Sequence, residues 1–272
     1  MSRPLDDLRL EVLMLDGIEL KGRCCVVALG IDSDGVKHPL GLWDGSTENA
    51  TVATTLLANL IERGLDVDQG VLVVLDGAKA LRKAVRDVLG VHTPVQRCVR
   101  HKERNVLAHL PERDRALVRR RLRAAWALGD HNRALDQLRG LADELARSHP
   151  GAAASLREGM EETLTVTRLG VRGRLKRTLA STNPCESMIE TVRRISRNVK
   201  HWSSGDMCLR WTAAGMLQAE SQFRKIIGYA DLAKLALAVE RDVAARHAAG
   251  TPSTGLHSPN ATAAPEVAAS PA

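Results

Sequence analysis

Two aspartates in this sequence follow an apolar stretch and precede a glycine. Asp16 comes after VLML and before Gly17, and Asp76 comes after VLVVL and before Gly77. Because Asp-Gly is a common turn pair, each aspartate alone is typical of a turn that ends a strand. Two carboxylates on neighbouring strands could instead share a divalent metal, and Mg²⁺ prefers carboxylate oxygens. The pair therefore predicts a metal site at the end of a sheet, with a structural turn as the alternative at each position.

A site for two metal ions needs a third carboxylate. The candidates lie in the last helical stretch, at Glu186, Glu190 and Glu220. Glu186 falls about one turn into a helix that we expect to begin near residues 182–183, since Ser-Thr-Asn precedes a proline there. From that position the side chain could project towards a sheet. The alternative is that Glu186 is only a favourable acid near a helix N-terminus.

The elements that must position these carboxylates follow from the apolar periodicity. Residues 9–20, interrupted by the first Asp-Gly, and two extended segments around DSDG predict three consecutive antiparallel strands. A helix ending at Gly64, a buried strand at VLVVLD, a helix ending at Gly90 and a short strand at TPVQRCV follow. The order βββαβαβα predicts an α/β fold with a mixed sheet.

The second half of the chain is predicted to be helical. Residues 104–180 are rich in Arg and Ala, with breaks at LPE, GDHN and HPG, which indicates an all-helical segment inserted between core elements. Beyond about residue 248 the chain is rich in Pro, Ala, Ser and Thr, which predicts disorder. The predicted division is core 1–110, helical insertion 111–180, C-terminal core helices 181–247 and disordered tail 248–272.

Composition limits the class of protein. The net charge of +7, from 39 basic and 32 acidic residues, suits a nucleic-acid partner. Because the chain has one Tyr and one Phe, single-strand binding by rows of stacked aromatics is not expected. No apolar run is long enough for a membrane span, and the acidic N-terminus lacks an export signal, so we expect a cytoplasmic, nucleoid-associated protein. The five cysteines show no CxxC pair, which predicts reduced thiols and no closed zinc site.

Several segments together resemble one family. LMLDGIEL, VALGIDSDGVKHPLGLWDGSTENA, VVLDGAKALRKAV, QRCVRHKERNVLAHLP and STNPCESMIETVRR occur in this order. They are similar to successive signatures of the Mutator-type insertion-sequence transposases of bacteria. The resemblance runs from about residue 11 to about residue 245.

The resemblance implies an RNase H-like core with a helical insertion between the second Asp and the Glu. The 110 positions between Asp76 and Glu186 leave room for that insertion. It also implies that Asp16, Asp76 and Glu186 are catalytic and hold two Mg²⁺ ions, for which Mn²⁺ can substitute, and that the substrate is double-stranded DNA. One ion would activate water or a DNA 3′-hydroxyl, and the other would stabilise the leaving oxygen. Action on paired ends implies a homodimer.

Three basic runs, at residues 113–126, 168–177 and 193–202, lie on helix-like segments. Each alone is typical of a solvated helix face. Around a phosphodiester site, they favour contacts to the DNA backbone that position the duplex without reading its sequence. The residues predicted to contact DNA are Arg100, His101, Lys102, Arg119, Arg120, Arg193, Arg194 and Arg197.

Cys98 and His101 match a Cys-x-x-His element of the family. Two ligands do not close a tetrahedral zinc site, so we expect a packing or hydrogen-bonding role. The resemblance leaves open an approach of His101 to the scissile phosphate. Trp126 and Trp202 are expected in the core, with stacking on an unpaired base as the alternative for Trp126.

The sequence also departs from the family. The chain begins only 15 residues before Asp16, whereas family members carry a longer N-terminal region for recognition of the transposon ends. Cys185 replaces a small or aliphatic residue before Glu186. Two alternatives to an active transposase follow. One is a truncated, non-catalytic DNA- or partner-binding remnant acting as a dominant-negative subunit. The other is a different RNase H-like nuclease, such as a junction resolvase, that only hydrolyses.

Overall fold

The computed structural model describes residues 3–45, 47, 49–66, 68 and 70–250, with side chains through residue 248. These residues form an α/β fold with one five-stranded sheet. The strands are β1 (Leu10–Leu20), β2 (Arg23–Asp32), β3 (Lys37–Asp44), β4 (Leu72–Leu75) and β5 (Val95–Arg97). The helices are α1 (Ala50–Glu62), α2 (Lys79–Leu89), α3 (Val99–Ala108), α4 (Glu112–Ala127), α5 (His131–Ser148), α6 (Pro150–Arg157), α7 (Thr165–Arg168), α8 (Gly173–Leu179), α9 (Asn183–Ile195), α10 (Gly205–Glu220) and α11 (Leu232–Gly250).

The sheet is mixed, with the strand order β3-β2-β1-β4-β5. β1, β2 and β3 pair in antiparallel fashion, whereas β4 runs parallel to both β1 and β5. β1 is therefore the central strand, with a long antiparallel partner on one side and a four-residue parallel partner on the other. All four residues of β4 are buried, as expected for a strand covered on both faces.

Side chains alternate between the two faces of the sheet and build two apolar cores. Met14 and Val74 belong to the core beneath α8, α9, α10 and α11. Leu15 and Leu75 belong to the opposite core, beneath α1 and α2. A third core lies within residues 106–164 and is formed by helices alone.

The helix that carries Glu186 packs very closely on its neighbour. A Cβ atom added at Gly215 in α10 would lie 2.8 Å from the Cα atom of Val192 in α9. Real Cβ atoms do not approach another backbone this closely, so only glycine permits this crossing. The contact fixes the separation of α9 and α10.

Several sequence expectations are confirmed. Gly64 and Gly90 follow α1 and α2 with positive φ of 99° each, the conformation that glycine adopts without strain. α9 begins at Asn183, with Pro184 in its first turn. The breaks predicted within residues 104–180 fall between α3 and α4, between α4 and α5, and at the start of α6.

Two expectations differ from the structure. β1 continues through Asp16 and Gly17 to Leu20, because β2 pairs with β1 along this whole stretch, so the first Asp-Gly does not interrupt a strand. α11 extends to Gly250, two residues past the predicted start of the tail. Residues 251–272, predicted to be disordered, lie outside the described residues. Within the described part of the chain, no helix combines the length and apolar character needed to cross a membrane.

Candidate active site

The two aspartates of the Leu-Asp-Gly motifs lie at equivalent positions of neighbouring strands. Leu15 pairs with Leu75 in the last parallel step between β1 and β4, so Asp16 and Asp76 follow the same rung of the ladder. Alternation places Asp16 on the face of Met14, beneath α9. The negative charge of Asp76 contributes to raising the pKa of Asp16, in agreement with their positions after the same rung.

Asp16 is almost fully buried, with 4% of its surface exposed. Its Oδ1 accepts a hydrogen bond from the Gly17 amide at 2.9 Å, whereas its Oδ2 is buried and makes no well-formed hydrogen bond with any described residue. The pKa of Asp16 is raised to about 6: burial is the main cause and the charge of Asp76 adds to it, whereas the charge of His101 and interactions with Thr182 and the Gly17 amide oppose the rise. A buried carboxylate oxygen without a donor is suited to a cation.

Asp76 has a more open setting and a local structural role. Its Oδ1 accepts a hydrogen bond from the Ala78 amide at 2.8 Å, in the turn that starts α2. Gly77 has a φ of 105°, which lets the chain turn sharply and leaves the carboxylate half-buried at the strand end. The structural alternative for Asp76 is therefore confirmed, because its carboxylate caps a turn, and its role as a metal ligand stays a prediction.

Cys98 and His101 lie beside this pair of carboxylates. Interaction with Cys98 raises the pKa of His101, burial opposes the shift, and the charges of Asp16 and Asp76 raise it further. Burial would raise the pKa of the Cys98 thiol, but interaction with His101 outweighs this and lowers it. Cys98 Sγ also accepts hydrogen bonds from Thr182, from the amide at 3.5 Å and from the hydroxyl at 3.6 Å. Cys98 thus joins the start of α3 to the start of α9.

Glu186 lies in the first turn of α9, as expected, but its carboxylate pairs with an arginine. Its Oε2 lies 3.7 Å from Arg100 Nη1, and Arg100 also donates to Asn183 Oδ1 at 2.6 Å. Among the described residues, no three His, Cys, Asp or Glu side chains are grouped closely enough to hold a metal ion. The structure therefore brings Asp16 and Asp76 together, with Glu186 held by Arg100.

Arg97 fixes the turn that contains Asp76, a role that the sequence did not reveal. Its Nη1 donates to the Gly77 carbonyl at 3.1 Å, and its Nε donates to Glu162 Oε2 at 2.6 Å. The guanidinium lies under Gly159, where an added Cβ would be 2.4 Å from Arg97 Nε. This buried arginine connects the end of β5, the Asp76 turn and the helical region that follows α6.

The structure gives the residues predicted to contact DNA different settings. Arg100 and His101 lie near the two aspartates. Two grooves meet at Arg100: one of about 610 Å³ lined also by Glu186 and Arg194, and one of about 1300 Å³ lined also by Arg119. The exposed arginines of the set are Arg100, Arg119, Arg120, Arg193, Arg194 and Arg197.

Lys102 differs from its expected role. Its side chain is 4% exposed, and its Nζ donates to the carbonyls of Ser155 at 2.7 Å and Glu158 at 2.5 Å. The ammonium group therefore holds α3 against the end of α6 and is not available to a DNA phosphate. Burial lowers the pKa of Lys102, while Glu158 opposes the shift.

Both tryptophans are buried, as expected. Trp126 donates to the Thr163 hydroxyl at 3.0 Å, and Trp202 donates to the Leu20 carbonyl at 2.9 Å. Because a buried indole N–H needs an acceptor, these contacts fix each ring in its core. All five cysteines are free, as predicted.

Comparison with known proteins gives consistent results. A probable transposase for an insertion sequence element from Corynebacterium diphtheriae is 31% identical over 71% of this chain and 55% of that protein. The transposase for IS6120 from Mycolicibacterium smegmatis is 32% identical over 71% of this chain and 60% of that protein. The transposase for IS256 in Tn4001 from Staphylococcus aureus is 26% identical over 84% of this chain and 60% of that protein.

The chain thus matches only 55–60% of the length of these curated relatives. The family model described as "Transposase, Mutator family" matches residues 1–225, which contain Asp16, Asp76, Glu186 and the Cys98–His101 element. On this match, the chain belongs to the Mutator family of transposases.

Proposed function

We propose that this chain is the catalytic part of a DNA transposase that cuts and joins strands at the ends of an insertion sequence with Asp16, Asp76 and Glu186. The observation that carries the proposal is the buried Oδ2 of Asp16, which makes no well-formed hydrogen bond with any described residue and belongs to a carboxylate that follows the same rung of the sheet as Asp76. A carboxylate pair of this kind fits a hard divalent cation.

The sheet topology supports an RNase H-like core. An antiparallel β1–β2–β3 unit is followed by parallel β4 and β5 on the other side of β1. The family resemblance implies this core, with the carboxylates on the first and fourth strands and the helical segment before Glu186.

In the proposed mechanism, Asp16 and Asp76 would hold Mg²⁺ or Mn²⁺, and the cost of the buried charge of Asp16 without a cation would favour its binding. The bound ions would activate the attacking oxygen and stabilise the leaving oxygen of the scissile phosphate. Glu186 would supply the third carboxylate once Arg100 releases it and pairs with a DNA phosphate instead. His101, next to both aspartates, offsets part of their negative charge.

A strand-cleavage assay tests the proposal. The substrate is a duplex carrying the inverted repeats that flank the coding sequence, incubated with the purified chain and Mg²⁺ or Mn²⁺. We expect Asp76→Ala to lower the cleavage rate by about 10³-fold, because bound metal contributes several kcal/mol to the transition state. Asp136→Ala on the exposed side of α5 is the matched control and should cleave like the unmodified chain.

A second assay separates the alternatives. Joining of a pre-cleaved end to a target plasmid distinguishes a transposase from a nuclease that only hydrolyses. Tight DNA binding without cleavage or joining, with either metal, would leave the binding remnant and overturn the catalytic proposal. We also propose that the protein acts inside the cell as a homodimer, because two ends must be joined together. Light scattering after size-exclusion chromatography measures that state.

A further inference from the structure

We propose that the groove between α3, α4 and α8 binds the phosphate backbone of a polynucleotide and leads it to the carboxylate site. This proposal rests on the proposed function, in which DNA is the substrate, and it assigns a binding role to Arg104 and Arg177. The groove has a volume of about 1300 Å³.

The charge of the groove is strongly unbalanced. Seven basic residues and one acidic residue, Glu103, line it. Helical spacing produces this arrangement, because residues four apart lie on the same face of a helix. Arg100 and Arg104 are so spaced on α3, and arginines at 115, 119 and 123 are so spaced on α4. Two helix faces thus present their arginines to one groove.

Most of these cations already have partners. Arg119 and Arg123 both pair with Glu103, the latter through its Nε at 2.7 Å. Lys176 is buried and donates to the Leu128 carbonyl. Arg104 and Arg177 are different, because both are exposed and neither makes an ion pair or side-chain hydrogen bond with any described residue.

Two uncompensated guanidinium groups lining one groove indicate an anionic ligand that is absent from the chain itself. Guanidinium groups bind phosphate through pairs of parallel hydrogen bonds. The groove is open to solvent and lies between exposed helix faces, whereas small ligands are held in enclosed pockets. An extended polyanion therefore fits it better than a single small anion.

The lining also indicates how such a polymer would be held. Trp126 is the one aromatic residue of the groove, and its indole is mostly buried and bonded to Thr163. Rows of stacked bases are therefore not supported, and contact to phosphates is the mode that remains. Such contacts do not depend on base sequence.

The position of Arg100 gives the direction of the path. Arg100 lines this groove, and it also lines the smaller groove that contains Glu186. A strand that follows Arg177 and Arg104 would therefore reach Arg100 and pass the candidate third carboxylate.

The test measures DNA affinity of the double variant Arg104→Ala/Arg177→Ala by fluorescence anisotropy, with labelled single-stranded and duplex oligonucleotides of random sequence. The matched control is Arg133→Ala/Arg147→Ala, which removes two exposed arginines from α5, outside the groove. We expect the groove variant to bind about tenfold more weakly for each arginine removed. The dependence of log affinity on log salt should become less steep by roughly 2. The control should change neither value.

Loss of affinity for single strands alone identifies an unpaired strand as the occupant, and loss for duplex alone identifies paired DNA. Both outcomes support a backbone-binding groove. Unchanged affinity and salt dependence for both probes would overturn it, with thermal unfolding confirming that the variant is folded. Because binding is measured without metal or cleavage, a groove variant that loses affinity supports this proposal even if the chain proves catalytically inactive.

Discussion

Asp16 and Asp76 stand in the same three-residue sequence, Leu-Asp-Gly, yet the fold treats them differently. Asp16 lies inside a continuous strand, almost fully buried, and its Oδ2 makes no well-formed hydrogen bond within the described part of the chain. Asp76 lies after the end of its strand, half-buried, with an oxygen used to begin α2. The difference arises from the neighbouring strands: β2 pairs with β1 beyond Asp16, whereas among the described residues the pairing of β4 with β1 and β5 ends at Leu75.

The comparison separates a carboxylate whose hydrogen bond starts a helix from one whose buried charge is only partly compensated. Replacing Asp76 removes a hydrogen bond that stabilises a turn, so the substitution should weaken the fold. Replacing Asp16 removes a buried charge that its partners, including the Gly17 amide and His101, offset only in part, so the substitution should relieve a cost at neutral pH. The following predictions sharpen or break this distinction.

The largest effect is expected at Arg97, which holds the Asp76 turn and not the Asp16 strand. We expect Arg97→Ala to lower the free energy of unfolding by roughly 3–4 kcal/mol, the lower part of the range for breaking a buried pair, because Arg82 still binds Glu162. Arg97→Ala should also raise the Mg²⁺ concentration needed for cleavage, because the Asp76 turn is no longer held. Arg97→Lys should restore part of the stability and bring this Mg²⁺ requirement closer to that of the unmodified chain. Denaturant unfolding and a metal titration of cleavage measure the two effects. An unchanged metal requirement in Arg97→Ala would show that Arg97 does not position Asp76.

The next effect concerns pH. The pKa of Asp16 is raised in the folded chain from 3.8 to about 6, so its charge destabilises the fold progressively as pH rises through this interval. The stability of Asp16→Asn relative to the unmodified chain should therefore increase by at most about 3 kcal/mol between pH 4 and pH 7, at about 1.4 kcal/mol per pKa unit. Urea unfolding in the presence of EDTA measures it.

Asp76→Ala should change stability in the opposite direction. We expect its free energy of unfolding to fall by about 1 kcal/mol, because the hydrogen bond from the Ala78 amide is lost.

Parallel curves of stability against pH for Asp16→Asn and the unmodified chain would contradict the buried charge at Asp16. Saturating Mg²⁺ should stabilise the unmodified chain and have little effect on Asp16→Asn, because a ligand stabilises only the state that binds it.

Effects smaller than those at Arg97 and Asp16 are expected at the two glycines. Gly77→Ala should cost roughly 1–2 kcal/mol, because its φ of 105° is strained for any residue with a Cβ. Gly17→Ala should cost less, on the order of 0.5–1 kcal/mol, since its Cβ would meet only the terminal Cγ2 of Thr47 at 2.7 Å, and that side chain can rotate. Thermal unfolding of both variants ranks them, and a reversed order would mean that the Thr47 contact is rigid.

Local signals predicted much of the fold. Gly64, Gly90 and Pro184 marked helix ends correctly, because the preferences of glycine and proline depend on backbone conformation at that residue. The Asp-Gly pair at residue 16 misled for the complementary reason. The turn signal there was overridden because β1 pairs with β2 past this point, with Asp16 opposite Val27, and the Asp-Gly pair alone does not show how far that pairing extends.

The site was predictable only in part. The neighbouring positions of Asp16 and Asp76 and the family could be predicted from the motifs, and the burial of Trp126 and Trp202 agrees with the expectation. The burial of Lys102 was not accessible, because its partners are carbonyls about 53 and 56 positions away. The clamp at Arg97 was hidden for the same reason. The sequence shows which residues are charged, but it does not show which of these side chains bind partners inside the fold.

The close crossing at Gly215 has a consequence for how Glu186 can move. Since the α9 backbone lies directly against α10 at Val192, we expect the two helices to move together and not to slide past each other. Any approach of Glu186 to the aspartates must therefore come from rotation of its own side chain or from a swing of the whole helix pair. Gly215 thus limits the movement of the helix that carries Glu186, although it lies about 29 positions away from this carboxylate in the sequence.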